Sequence, residues 1–539
     1  MGFADLKTRY STSEPVIVGD LPTGTKSVVC RTAFGRSHPA HFEADVAVAS
    51  NLPVGTHALE AWSEDGELLC EEFTTVSRRP GDDPVIGFAT SFDPQRVDEV
   101  LSWLCSLRCT IVQFYDWMQQ YSAPLPSDGE YSDPLGRPLF RDSLERLVSG
   151  VRDLGAVAQA YAPICAAEPA YGEAHRDWLL YRNDGRPQHL GDLLEIMDPA
   201  NTAWQEHWLA AYGDAADTLG FDGFHLDTYG YPRNPLDAGA RPLSMRIAYR
   251  GFLERLSAAL PSATLSFNQV NGVPSGLELG SLSSFRYVEV WPPNDRWRHL
   301  EGLINRSASP YRWAGGALAL YPPVWGGDRD GALRTVMLTE AVTTSLGAGL
   351  LVFGDDAGVL CDPYYPNHAR LRKCETSRVL DWHRFALRCR DLFRHGEDTS
   401  WCDLGDPNGA VLINTPDAAV SPEPDAGTLF ARVVRTGSTT AISCIDLSGS
   451  ARGSWAEPTA DGKLHEARVQ ALVTDPGRCR AEVGVLGVAG GRFKEVDLTS
   501  VDHSEGKAVE LRLPIAEGWS VARIDERLSP KAHRGRKSA

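Results

Sequence analysis

FDGFHLDTYG, residues 221–230, decides how the middle of this 539-residue chain is read. It is a short β-rich run that ends in polar residues and a glycine. Side chains along a strand alternate between its two faces, so Phe224 and Leu226 share one side while His225 and Asp227 share the other. An apolar side packed under helices, with a polar side turned inward, is what a strand of a closed parallel sheet presents. In such a fold the chemistry sits at the C-terminal strand ends.

Seven comparable runs lie outward from it: VIGFATSF (85–92), TIVQFYDW (110–117), AVAQAYAPI (156–164), TLSFNQV (264–270), RYVEVW (286–291), ALALYPPVW (317–325) and LLVFGDD (350–356). Amphipathic segments such as RDSLERLVSGVRDLG (141–155) and LSMRIAYRGFLERLSAAL (243–260) separate most of them. Strands and helices alternating in this way predict an α/β fold, a (β/α)8 TIM barrel over residues 84–400. An open doubly wound sheet is the alternative, but no glycine-rich phosphate loop follows the first strand.

The flanks read differently. THALEAW and ELLCEEFTTV (56–76) form a hairpin pattern around a polar turn, and residues 1–83 are expected to be an immunoglobulin-like β-sandwich. SRRPGDDP (77–84) is the linker. Runs such as AVLINT (410–415), TLFARVV (428–434), TAISCIDL (440–447) and AVELRLPI (508–515) predict a second β-sandwich over 401–530. A basic tail, 531–539, is expected to be disordered.

Lys plus Arg number 53 against 71 Asp plus Glu, a net charge of −18. An acidic surface repels phosphate, so nucleic acid and anionic membrane are poor partners and a neutral substrate fits. No apolar run is long enough to cross a bilayer. The first residues, MGFADLKTRYSTSEPVIV, lack the basic and apolar regions of a signal peptide, which predicts a cytoplasmic location. The eleven cysteines are scattered without CxxC pairing, which reads as reduced thiols. Cys105 and Cys109 lack a histidine cluster beside them, so neither metal nor cofactor is expected. Nothing in the sequence sets an oligomeric state.

Two carboxylates stand out. Asp227 points inward from the fourth strand, and in Arg286-Tyr287-Val288-Glu289-Val290-Trp291 the valines face the helices while Tyr287, Glu289 and Trp291 face inward. Strands four and six lie roughly 10 Å apart at the backbone, so two reaching carboxyl groups close to about 5–5.5 Å. That separation suits a retaining glycosidase, with Asp227 beside His225 as ionised nucleophile and Glu289 among aromatics as general acid. The plainer alternative is that Asp227 caps a loop and Glu289 pairs with an arginine. Tyr115, Asp116 and Trp117 close strand two, Asn268 strand five, Trp325 strand seven, and Asp355 and Asp356 strand eight. Aromatic rings that stack on sugars beside groups that bind hydroxyls make a carbohydrate cleft.

FYDW (114–117), FDGFHLDTYG (221–230), YVEVWP (287–292) and FGDDAGVLCDPYYPN (353–367) occur in the order found in glycoside hydrolase family 66, which the chain resembles over residues 85–400. Members are dextranases and cycloisomaltooligosaccharide glucanotransferases. The resemblance implies a retaining mechanism on α-1,6-linked glucans such as dextran or isomalto-oligosaccharides, with Asp227 as nucleophile and Glu289 as acid/base. It implies sugar contacts at Tyr115, Asp116, Trp117, His225, Asn268, Trp291, Asp355 and Tyr365, and no metal or cofactor.

Two features depart from the family. Only GGDRD (326–330) separates strand seven from a helix expected near Gly331, leaving no room for the binding module that cyclising members insert there, which favours hydrolysis. After FYDW the chain continues MQQYSAPLP (118–126), a changed loop that bears on linkage and chain-length preference. Alternatives are the same scaffold acting on another α-glycoside or as a transglycosylase, and a carbohydrate-binding protein without catalysis.

Overall fold

The computed structural model describes residues 3, 6–228, 232, 234–273, 282–307, 316–322, 327–404, 409–487 and 489–526. Trp325, Tyr229, Gly230 and the tail 531–539 lie outside the described residues. The protein is a mixed α/β chain of two compact units, residues 1–388 with 455–458, and residues 389–454 with 459–539.

In the first unit, the expected hairpin pairs Gly55–Trp62 with Leu68–Ser77 in antiparallel register. Those strands are the middle of a five-stranded sheet, and Val16–Val18, Val46–Ala49 and His41–Glu43 form a second, three-stranded one. Val16, Val18, Val28, Cys30, Ala47 and Leu59 share one apolar core, as period-two alternation requires.

The eight inner runs all form parallel strands of one sheet: Ile86–Ala89, Ile111–Phe114, Val157–Pro163, Gly223–Asp227, Thr264–Asn268, Phe285–Glu289, Ala317–Ala319 and Gly349–Leu351. They follow chain order. The eighth continues as Phe353–Gly354, where Gly354 pairs with Phe88 of the first strand, so the row returns to its start. We call this arrangement the ring. Close approach sets its glycines: a Cβ on Gly223 would lie 2.0 Å from the Thr264 carbonyl oxygen.

Helices cover the outer side. Arg141–Asp153 buries Leu144, Leu147, Val148 and Val151, the three- and four-residue spacing of one helical face. Thr202–Leu219 starts under Asn201, whose side chain accepts the amides of Ala203 and Trp204, and ends at Gly220 with φ 81°. Its Trp208 packs edge-on against Phe224, so the apolar side of the fourth strand faces the helix as alternation predicts. The helix expected near Gly331 begins earlier, at Arg329, because the Asp328 side chain accepts the Gly331 amide and caps it.

The second unit is β-rich. Leu429–Thr436, Thr439–Asp446, Trp519–Glu526 and Cys479–Val485 are consecutive neighbours in one sheet, while Val411–Asn414, Glu466–Leu472, Gly506–Pro514 and Thr499–His503 form another. Val433, Ile442, Val469, Leu511 and Ile524 pack together in its core. Among the described residues no helix is long and apolar enough to cross a membrane.

Candidate active site

Asp227 ends the fourth strand and Glu289 the sixth, and both turn to the inner face. Asp227 Oδ2 accepts the Tyr161 hydroxyl at 2.8 Å, while Oδ1 accepts the Thr228 amide at 2.8 Å and Asn268 Nδ2 at 2.9 Å. A deprotonated carboxylate has lone pairs for all three donors. The same Asn268 Nδ2 lies 2.9 Å from Glu289 Oε2. Both oxygens therefore sit one hydrogen bond from a single nitrogen and no further apart than twice that length. The two N–H directions of an amide diverge by about 120°, which sets the gap at about 5 Å. The Tyr321 hydroxyl donates to Glu289 Oε1.

Glu289 is half-buried, and its carboxyl is raised above the usual range. Burial is the main cause and the Asp227 charge adds to it, while hydrogen bonds from Tyr321, Asn268 and Trp291 act against both. Among the described residues neither carboxylate contacts an arginine or lysine, so Glu289 is not ion-paired and Asp227 does more than cap a loop.

Aromatic rings pack beneath the pair. Tyr115 is sandwiched between Tyr161, with centroids 4.1 Å apart, and Tyr365, at 3.7 Å. Tyr365 shares a hydrogen bond of 2.9 Å with the Tyr287 hydroxyl. Burial pushes the Tyr115, Tyr287 and Tyr321 hydroxyls well up, so they stay protonated. Deeper still, Gln113 Nε2 and the Ser266 hydroxyl both donate to Gln159 Oε1. With the Ser266 proton directed there, His225 Nδ1 donates to Ser266 Oγ at 3.0 Å.

This network bears on His225, expected as a sugar contact but held out of reach beneath the inner face. His225 is fully buried and its imidazole is lowered to about 4 by burial, against the pull of Asp227. It is a neutral ring, so hydrogen-bond donors rather than an imidazolium face Asp227.

The other expected residues divide into two groups. Asn268 bonds to both carboxylates and Trp291, half-buried and edge-on to Tyr321 at 5.7 Å, bonds to Glu289, while Tyr115 and Tyr365 belong to the tyrosine cluster around them. Asp116 is buried close by in a left-handed conformation (φ 51°), with its carbonyl held by Arg137 Nη2. Its carboxyl is raised to about 7 by burial, opposed by Arg137 and reinforced by Asp133 and Asp227. Trp117 and Asp355 sit apart. Trp117 is fully buried against Phe221 with its Nε1 bonded to the Tyr161 carbonyl, which leaves no ring face for a sugar. Asp355 is fully buried on the Thr90 hydroxyl and Ser91 amide. Asp356 pairs with Arg96 at 2.6 Å and with Arg370.

Sequence reading missed Tyr161, Tyr321 and Arg137. Tyr161 had a signal, since it alternates with Gln159 along the third strand. Tyr321 lies beyond the end of a three-residue strand, where alternation gives no phase. Among the described residues, no cluster of three or more His, Cys, Asp or Glu forms a metal site.

The sequence profile of glycosyl hydrolase family 66 matches residues 59–522. The chain belongs to this family. Its membership supports a glycosidase-type enzyme. Over 218 residues, 36% of this chain, the family 66 protein is 28% identical to a cycloisomaltooligosaccharide glucanotransferase of Niallia circulans, a match that spans 22% of that enzyme's length. A second such enzyme from the same organism is 25% identical over 217 residues, again 36% of this chain and 22% of the relative. The fold is close to that of a Paenibacillus sp. cycloisomaltooligosaccharide glucanotransferase crystallised with cycloisomaltoheptaose: TM-score 0.79 at 18% identity, covering 96% of this chain and 98% of the other. An α-amylase from Geobacillus thermoleovorans is more distant, at TM-score 0.53 and 11% identity, covering 84% of this chain and 100% of the amylase.

Proposed function

We propose that this family 66 protein acts on α-1,6-linked glucans, dextran or isomalto-oligosaccharides, by a retaining mechanism with Asp227 as nucleophile and Glu289 as acid/base. The reading takes the ring as a (β/α)8 barrel, with boundaries near residues 83 and 400, between two β-sandwiches. One observation carries it: a single amide nitrogen, Asn268 Nδ2, 2.9 Å from an oxygen of each carboxylate. The resulting gap of about 5 Å suits direct attack on an anomeric carbon, and even its upper bound is short of the roughly 6.5 Å that an inverting enzyme needs for an intervening water.

In the first step Asp227 Oδ attacks C1 of the glucosyl unit, the C1–O bond breaks, and the Glu289 proton passes to the leaving oxygen. In the second, Glu289 as carboxylate takes a proton from water or a sugar hydroxyl. The freed oxygen attacks C1 and the bond to Asp227 breaks. The raised Glu289 supports its role as the proton carrier.

Whether water or a sugar is the acceptor decides hydrolysis or transfer. The lack of an inserted module loses its weight for hydrolysis, because a glucanotransferase chain is matched over 98% of its length. Hydrolysis stays the proposal, with transfer as the second reading that the named relatives favour. Among the described residues the cysteines form no disulfide, which suits the proposed cytoplasmic location.

The test is reducing-end release from dextran by Asp227→Asn and Glu289→Gln, with the folded state checked by circular dichroism. Both variants are expected to be inactive, and azide is expected to rescue a nucleophile-deficient Asp227→Gly variant with inverted product. Full activity in either of the first two ends the assignment. Mass spectrometry separates linear from cyclic products, and a panel of α-1,6-, α-1,3- and α-1,4-glucans tests the linkage.

A further inference from the structure

Glu289 reaches the inner face with each oxygen already facing a different partner. Asn268 Nδ2 meets Oε2, and an amide nitrogen donates only. A protonated carboxyl therefore keeps Oε2 as its carbonyl oxygen and carries the proton on Oε1. Oε1 faces the Tyr321 hydroxyl, the one neighbour that can donate or accept by turning its O–H. Burial keeps the Tyr321 phenol protonated, so it does not compete as a base. Among the described residues the titratable groups that act on Glu289 are Asp227, Tyr287, Tyr321 and Tyr365, none of them a cation, and the Trp291 side chain adds a further hydrogen bond as a donor only.

We propose that Tyr321 is a positioning residue for the acid/base, accepting the Oε1 proton of Glu289 before transfer and donating to the same oxygen once the proton has left. This rests on the assignment of Glu289 above. As the glycosidic oxygen arrives, the Oε1–H bond breaks and its proton joins the leaving oxygen, while C1 passes from that oxygen to Asp227. Tyr321 then rotates its own O–H back to Oε1 without giving up its proton. A neutral partner becomes a donor to a forming anion, so the contact strengthens as charge develops. In the second step the order reverses, and Glu289 recovers a proton from the incoming acceptor.

A role confined to the acid has a readout that packing alone does not move. Leaving groups that need no protonation bypass Glu289 in the first step. The experiment compares Tyr321→Phe with the parent on isomalto-oligosaccharides and on α-isomaltosyl fluoride, with the pH profile of kcat/KM for each. Loss of one hydrogen bond to a charged group predicts about a 10- to 100-fold fall on the oligosaccharides. The rate on the fluoride is expected to stay within about 2-fold, and the alkaline limb on oligosaccharides to move up, since Tyr321 lowers the Glu289 pKa. Equal losses on both donors, or no loss on either, overturn the proposal alone. A Glu289→Gln variant as active as the parent overturns the functional reading and takes this one with it. If Tyr321→Phe does not fold, 3-fluorotyrosine at 321 keeps size and hydroxyl and is a stronger donor. It then moves the oligosaccharide limb down, and an unmoved limb counts against the proposal.

Discussion

Replacing Asn268 with alanine removes the one group that, among the described residues, touches both carboxylates. Its Nδ2 donates at 2.9 Å to Asp227 Oδ1 and at 2.9 Å to Glu289 Oε2. Each is a hydrogen bond to a chargeable group, worth about 1.5–3 kcal/mol. The bond to Glu289 favours its ionised form, so losing it raises the Glu289 pKa further. Two charges about 5 Å apart at an effective dielectric near 20 repel by about 3 kcal/mol, which pushes the same way. The acid thus keeps its proton to higher pH, and the alkaline limb of kcat/KM moves up. Because Asp227 also loses a donor that orients it, kcat falls by about 10- to 100-fold on every donor, fluoride included. That last point separates Asn268 from Tyr321. The assay is kcat and kcat/KM on isomalto-oligosaccharide and fluoride donors from pH 4 to 9. A limb that stays put or moves down, with kcat intact, refutes the bridging role.

Two further substitutions test the surroundings. In Asp116→Asn, a carboxyl raised from its ordinary 3.8 to about 7 in the folded state is lost. Such a group stabilises the fold below its unfolded pKa and loses that contribution as pH rises through 7. Relative to the parent, the variant therefore gains on the order of 2–4 kcal/mol between pH 4 and 8, read from urea midpoints. A relative loss over that range means Arg137 holds Asp116 as an anion. Trp117→Ala empties a fully buried site and is expected to cost about 3–5 kcal/mol of stability. A loss under about 1 kcal/mol together with a raised KM returns the ring to the sugar-binding surface.

Alternation is what made the site readable. Phe224 and Leu226 against His225 and Asp227, then Val288 against Tyr287 and Glu289, put the two carboxylates on the inner face because a period of two leaves no other choice once the apolar side is covered. The same logic had no purchase on Tyr321, which lies past the end of a strand too short to set a phase. Trp117 was misread for a different reason. A tryptophan at a strand end looks alike whether its ring faces solvent or folds under Phe221, and only the bond from its Nε1 to the Tyr161 carbonyl on the next strand decides it. Which nitrogen of His225 carries the proton depends on Ser266 and Gln159, one on a later strand and one on an earlier strand, and no local pattern reports such a network.

Among the described residues no cation touches either carboxylate, and this bears directly on the chemistry. Arg137, the guanidinium that acts on nearby Asp116, is committed to the Asp133 carboxylate, the Thr90 carbonyl and the Asp116 carbonyl. Among the described residues, Asp227 and Glu289 are held by neutral donors alone, two hydroxyls, a side-chain amide, a main-chain amide and the Trp291 side chain. A fixed positive charge would lower both carboxyls together and leave two anions, one of which could no longer protonate a leaving group. Neutral donors act differently. They leave Asp227 beside Glu289 as a group whose charge adds to burial in raising the Glu289 carboxyl. That influence changes through the proposed reaction. In the proposed retaining mechanism Asp227 becomes an ester and its charge disappears, so Glu289 loses the neighbour whose charge adds to burial in raising it, and a weaker base remains to activate the acceptor. Glu289 therefore titrates differently in the free and glycosylated enzyme, and donors such as Tyr321 and Asn268, which can follow its charge, suit both halves of the cycle in a way that a salt bridge does not.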